Sequence, residues 1–316
     1  MWKLVEAKLW EDGWDYPFYK IISANDSGKA KGNQGGIAIP KDLLPFFPVI
    51  DPTGITPKAP TNERTIHCDM HDGIIWRESV DARYHFQTWG GGRAPETRLT
   101  RLGEVWRASE KDDLFVFQRN LSGLNRFRVF RIPCSEFHPL RASRWGSLPK
   151  FGTPISTAEL DVEASIIKAG LKGKEVLFDP DPENSLGARR VRVKQSSFRG
   201  LLMNAYNFQC CVSGDSLHTP DKLLFEPQAG HIIPVRYGGS YDLRNGIPLS
   251  ATIHWAFDNG LFTITDSYEV LFSSELKAQK SDIMSRYSEN KINLSSSVLK
   301  PSKRALQWHR ENVFLD

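Results

Sequence analysis

Three residues in the stretch AGHIIPVRYGGSYDLRNGIPLSATIHWAFDNG (residues 229–260) combine reactive chemistry with informative spacing. His231 comes first, Asn245 follows fourteen residues later, and His254 nine residues after that. The apolar run around His231, GHIIPV, reads as a strand, and SATIHWAFDN reads as a short helix stopped by Gly260. On that helix Ile253 and Phe257 are one turn apart and would anchor it to a core. His254 and Asp258 are also one turn apart, on the adjacent stripe, where an imidazole and a carboxylate can share one divalent metal. If the helix crosses back over the strand, His231 and His254 face one cleft. His231 then stands opposite the metal as a general base. A lone histidine is more often a core residue than a catalytic one, so the reading rests on the full set.

The flanking elements must hold these residues in place. SSFRGLLMNAY is predicted to be a helix, with Leu201, Leu202 and Ala205 at helical spacing and Ser196 or Ser197 as its cap. LLFEPQAGHIIPV follows as an extended segment, YGGSYDLRN as a loop, and LFTITDSYEVLFSS as a closing hairpin. The last segment, SSSVLKPSKRALQWHRENVFLD, is expected to end in a helix that packs back on the core. Upstream, FDPDPENSLG (178–187) reads as a linker, because its acids and prolines resist regular structure. TAELDVEASIIKAG reads as a helix, with Thr157 as N-cap and Gly170 past its end. From about residue 14 to 137 the chain alternates short aromatic and β-branched strands with Gly and Pro turns. GGIAIPK, RYHFQTW, DLFVFQR and RFRVFRI are examples, the last two joined at Gly123. The expected class is therefore α+β in two domains. Residues 1–150 are expected to form a β-barrel or sandwich, 151–187 a connecting segment, and 188–316 the domain that carries the histidines.

The 316 residues suit two domains, and 40% hydrophobic with 25% charged residues suits a folded globular chain. No apolar run approaches the roughly 20 residues that span a bilayer. The opening MWKLVEAKLWEDGWDYP has no signal-peptide apolar core, so a cytoplasmic location is expected. Cys68, Cys134, Cys210 and Cys211 form no CxxC pair. They read as buried thiols, and no structural zinc is expected. The net charge of +4 and pI near 8.8 are only mildly basic. The basic residues are clustered, however. GARRVRVKQSSFR (187–199) carries Arg189, Arg190, Arg192, Lys194 and Arg199 with no acid, and 93–107 carries four Arg against two Glu. Such clusters suit phosphate contacts, although a solvated basic face is the ordinary alternative.

With these residues on the page, the region from about Arg190 to Ser274 resembles one branch of the HNH nucleases, the ββα-metal finger family. The resemblance is carried by Phe198-Arg199, Tyr206, Cys210 with Gly214, HIIP, Asn245-Gly246 and HWAFDNG. It implies that His231 is the general base, that Asn245 braces the loop and orients the base, and that His254 is a metal ligand. It also implies a divalent cofactor, magnesium with manganese as the alternative, and cleavage products with 5′-phosphate and 3′-hydroxyl ends. There is one departure. Many family members place Asp or His just before the base, and this chain has Gly230. Asp258 is the expected substitute ligand, with Glu226 and Gln228 as weaker candidates.

The first half also contains chemistry that suits DNA. SANDSGKAKGNQGG (23–36) is a Gly-rich loop offering Lys29, Lys31, Asn33 and Gln34, and Asn or Gln can pair with adenine in the major groove. A second Gly-rich turn carries Arg93, Glu96, Arg98 and Arg101, where Arg reads guanine and Glu reads cytosine. SANDSGKAKGNQGGIAIP and ETRLT are similar to runs in the N-terminal effector domain of the restriction enzyme EcoRII, a B3-like pseudobarrel. The resemblance covers about residues 14–137 and implies two loop arms gripping the major groove. Asn33 and Ala38 depart from it where specificity would lie.

The combined expectation is a sequence-specific, metal-dependent endonuclease on double-stranded DNA, in the manner of a restriction enzyme, with no membrane partner. A palindromic site would imply a homodimer, and a restriction role would imply a cognate methyltransferase. A modification-dependent enzyme would need an aromatic cage, for which Trp76, Tyr84 and Trp89 are available. A homing endonuclease and a non-catalytic DNA-binding regulator with a decayed nuclease domain are the rivals, the latter favoured only by Gly230.

Overall fold

Short runs rich in aromatic and β-branched residues build the first half of the chain from strands, and helices alternate with two short hairpins after residue 155. A computed structural model of the chain describes residues 1–11, 13–30, 35–51, 53, 61–88, 94–121, 125–136, 143–179, 187–218, 225–279, 286–287, 290–294 and 299–316. It is a mixed α+β structure that divides into two compact units, Met1–Glu159 and Leu160–Asp316.

In the first unit, helix α1 (Trp2–Lys8) precedes β1 (Phe18–Ile21), β2 (Ile37–Ile39), β3 (Thr61–Asp72), β4 (Ile75–Gln87) and β5 (Glu96–Thr100). The short helix α2 (Gly103–Arg107) and strands β6 (Leu114–Arg119), β7 (Arg126–Ile132) and β8 (Trp145–Ser147) follow. The described strands form an eight-stranded sheet in the order β2-β5-β4-β3-β7-β6-β1-β8. Its pairs are antiparallel except β3 with β7, which is parallel. DLFVFQR and RFRVFRI pair as expected, with Leu114 opposite Ile132; Gly123 between them lies outside the described residues. One face buries an aromatic cluster in which Phe47 stacks on Tyr84 with centroids 5.0 Å apart, and Phe18 stacks on Phe117 at 5.4 Å. Each such ring contributes about 2–3 kcal/mol of burial.

Several expectations need correction here. Tyr84 lies in this core, about 26 Å along β4 from the exposed Trp76 at a strand rise of about 3.3 Å per residue. The two cannot share an aromatic cage, and Trp89 lies outside the described residues. Cys134 is exposed, while the other three cysteines are buried. The helix α3 (Thr157–Gly170) starts with Ser156 as its cap, not Thr157. Ser156 Oγ accepts from the Glu159 amide at 3.2 Å, and the Glu159 carboxylate accepts from the Ser156 amide at 2.9 Å, a capping box. Thr157 instead donates to the Phe47 carbonyl and accepts from Arg119, at 2.9 Å in each case. Arg119 is buried and pairs with buried Asp15 at 3.0 Å.

In the second unit, helix α4 (Ala188–Ala205) begins eight residues before Ser196. Ser196 and Ser197 are therefore buried interior residues rather than caps, and the basic run forms the first turns of the helix. Arg, Lys and Val carry no strong helix penalty, so nothing in 188–195 breaks it. The expected linker is held at its start, where the Asp179 amide donates to the Gly238 carbonyl at 2.8 Å; residues 180–186 lie outside the described residues. Strand β9 (Gln228–His231) pairs antiparallel with β10 (Gly246–Leu249), and helix α5 (Ala251–Asp258) follows at once. The hairpin β11 (Phe262–Ile264) and β12 (Val270–Phe272), helix α6 (Ser274–Ala278) and helix α7 (Lys303–Asn312) complete the unit. Phe198, Leu202, Ile232, Ile247, Phe257 and Leu306 share one core. No helix among the described residues is long and apolar enough to cross a membrane.

Candidate active site

His231 closes β9 and lies opposite Gly246 of β10. Its ring stacks on Phe198 of α4, with centroids 4.2 Å apart and planes within 12°. Tyr241 meets it edge-on at 5.2 Å. Gly246 makes this possible, because a Cβ there would come within 2.6 Å of the Phe198 ring. Burial in this aromatic slot, with a smaller contribution from the positive form of His254, pushes the His231 pKa down to about 4. The ring is therefore neutral at pH 7, the state a general base needs. Nε2 is buried without a hydrogen-bond partner.

Asn245 is fully buried and uses its whole amide. Its Oδ1 accepts from the Ile233 amide at 2.9 Å, and its Nδ2 donates to the carbonyls of Ile233 at 3.1 Å and Ser240 at 3.0 Å. The Asn245 carbonyl accepts from the Ile232 amide at 2.8 Å. Both ends of the loop after His231 are thus pinned by one side chain.

His254 sits on the partly open face of α5, which Ile253 and Phe257 anchor from the buried side. Its Nδ1 lies 2.8 Å from Gln228 Oε1, and its Nε2 lies 3.5 Å from Asp258 Oδ2. Gly230 faces the same ring edge, and a Cβ on it would come within 2.9 Å of Nε2. The structure therefore places His231 and Asn245 at the loop end of the β9–β10 hairpin and His254 with Asp258 alongside β9 at Gln228 and Gly230, with His254 near enough to lower the His231 pKa. Glu226, the weaker ligand candidate, instead accepts from the Ala251 amide at 2.6 Å and caps α5. Among the described residues no three His, Cys, Asp or Glu side chains converge as a metal cluster. The His254–Asp258 pair with the gap left by Gly230 does fit a hard divalent ion of the kind that keeps several waters and takes substrate phosphate oxygens.

The expected DNA-reading residues fare differently. Lys29 is exposed and paired with Glu110. Arg98 is buried on β5, donates to the Gly36 carbonyl at 2.6 Å and pairs with Glu96 at 3.2 Å. Arg101 is exposed just past β5, at a positive φ of 60°. Lys31, Asn33, Gln34 and Arg93 lie outside the described residues. Sequence reasoning missed the network behind them. Asp26 of the SANDSG run accepts from the Ser23 amide and hydroxyl and from the Ala38 amide, each at 2.8 Å, and pairs with Lys20 at 3.0 Å. The S-x-x-D spacing of Ser23 and Asp26 is the signal that could have found it. Gln87, also missed, donates to Glu96 at 2.7 Å.

Residues 210–265 match the family model described as HNH endonuclease, a segment that contains His231, Asn245, His254 and Asp258. The chain carries an HNH endonuclease domain, and its class is DNA nuclease. Among solved structures the chain is similar to a modification-dependent TagI restriction endonuclease, at 13% identity over 86% of this chain and 81% of that one, with a TM-score of 0.31. No curated protein matches it.

Proposed function

We propose that the protein is a metal-dependent endonuclease that cuts double-stranded DNA at a specific sequence, as a restriction enzyme does. The observation that carries this reading is a neutral, ring-clamped His231 on the strand that also faces the His254–Asp258 pair. In the proposed reaction His231 Nδ1 takes a proton from a water as its oxygen bonds to phosphorus. The bond from phosphorus to the 3′-oxygen breaks, and that oxygen leaves with a proton from solvent, giving 5′-phosphate and 3′-hydroxyl ends. Phe198 and Tyr241 fix the ring plane, and Asn245 fixes the loop that carries the ring. His254 and Asp258 would hold the divalent ion, magnesium or manganese. When bound, that ion polarises the scissile phosphate and stabilises charge on the leaving oxygen.

The first unit is proposed as the sequence reader, a B3-like domain spanning about residues 1–150 that places Lys29, Lys31, Asn33, Gln34, Arg93, Glu96, Arg98 and Arg101 at the groove. Buried Arg98 is paired with Glu96, so a reading role requires that pair to exchange its internal bonds for base edges. The test is incubation of unmethylated and methylated genomic DNA with the protein in magnesium, manganese or EDTA, followed by sequencing of the ends. Discrete metal-dependent fragments support the proposal and report site and modification preference together. Intact DNA from protein that still retards DNA in a gel would replace it with the non-catalytic regulator.

A further inference from the structure

Gln228 and Gly230 are two residues apart on β9, so both belong to one face of the strand. They meet the His254 ring at different atoms. Gln228 Oε1 lies 2.8 Å from Nδ1, while the missing side chain of Gly230 leaves room 2.9 Å from Nε2. An amide oxygen can only accept a hydrogen bond, so the ring nitrogen facing it carries the hydrogen. A neutral imidazole has one N–H, so Nε2 is left with its lone pair. At 3.5 Å the Asp258 carboxylate stands beyond a good hydrogen bond from that nitrogen. A lone pair and a carboxylate that face each other are matched by a cation between them.

Resting on the reading of His254 as a metal ligand, we infer that Gln228 is a positioning residue that fixes the His254 tautomer. Gly230 in turn keeps clear the space into which the Nε2 lone pair points. The glycine before the base is then a fitted gap rather than a lost ligand. The Gly230 backbone is outside the left-handed region, so alanine there alters space alone. Gln228 is exposed, so replacing it removes the hydrogen bond without opening the core.

The test uses full-length, ¹⁵N-labelled, metal-stripped protein above pH 7. Two-bond ¹H–¹⁵N correlations report which His254 nitrogen is protonated, assigned by the signals lost in His254→Asn. Calorimetry with Mn²⁺ alone reports affinity. The expected wild-type result is the Nδ1–H form with measurable Mn²⁺ binding. Gln228→Leu should move the ring to Nε2–H and weaken Mn²⁺ about 10- to 100-fold. Gln228→Glu should restore both. Gly230→Ala should keep the Nδ1–H form and still weaken Mn²⁺ about tenfold or more. Wild-type protein in the Nε2–H form, or Gln228→Leu with tautomer and affinity unchanged, overturns the inference. Wild-type protein in the Nδ1–H form that takes no Mn²⁺ overturns the reading of His254 as a ligand, and the use assigned to its tautomer falls with it.

Discussion

At the scale of single residues, His231 is defined by what surrounds its ring. Replacing it with alanine removes the proton acceptor and should slow cleavage roughly 10²- to 10⁴-fold, with DNA affinity in a gel-shift titration nearly unchanged. Equal loss of affinity would assign the residue to binding instead. Because burial holds its pKa near 4, His231 should remain an unprotonated base at pH values where an ordinary histidine is charged. Phe198→Leu would admit water beside the ring, relieve desolvation and raise that pKa. The acidic limb of the cleavage rate should then move to higher pH, and an unmoved limb would show that the stacked ring does not tune the base. Asn245→Ala leaves the Ile233 amide and two carbonyls without their partner in the interior. A stability loss of about 2–4 kcal/mol in urea titrations is expected, together with loss of cleavage.

At the scale of elements, the finger is finished by helix α7, which supplies contacts from far along the chain. The His309 ring stacks on Phe257 at 3.8 Å, with planes 9° apart, and its two nitrogens lie 3.1 Å from the Phe257 carbonyl and 3.0 Å from Thr263 Oγ1. His309→Ala should cost about 3 kcal/mol by chemical denaturation and loosen α5, so that cleavage is lost at temperatures where the wild type is active. A variant with unchanged unfolding midpoint would exclude this brace. The helix that sets His254 and Asp258 one turn apart was legible from apolar periodicity, and so in part was the strand that ends at His231, whereas Asn245 was singled out by the family resemblance and not by its spacing. The start of α4 was not legible. Its cap is Gly187, whose side chain offers no hydrogen bond, and Ser196 and Ser197 mimic a cap while lying in its interior. The aromatic slot around His231 was also hidden, since Phe198 and Tyr241 come from separate elements and only the fold brings them to one ring. Arg98 was read as a base contact on a Gly-rich turn, yet it is buried on β5, and Arg119 is buried on β6, because partners from other elements meet them: the Gly36 carbonyl for Arg98, and Asp15 and Thr157 for Arg119.

At the scale of the whole molecule, buried neutral histidines set how the fold responds to acid. His309 is held near pKa 4 by burial, against about 6.5 in an unfolded chain. Between those values the unfolded state binds the extra proton, so stability is full above about pH 6.5 and falls as the pH drops toward 4. The loss from His309 alone is up to about 3 kcal/mol. Urea midpoints should therefore decline over this window, and less steeply in His309→Gln; a flat profile would show that the ring is hydrated. The proposed division of labour predicts opposite defects in two variants. Arg98→Ala should weaken specific binding by about 1–3 kcal/mol while DNA that is bound at saturation is still cut, and His231→Ala should do the reverse.

Helix α7 also puts the assembly of the site on a clock. Ribosomes make β9, β10 and α5 first, and some fifty residues must follow before His309 can reach Phe257. The Gly260 carbonyl waits still longer for the Leu315 amide, 3.0 Å away in the folded chain. A chain under synthesis thus carries His231 and His254 before α7 exists to pack against α5.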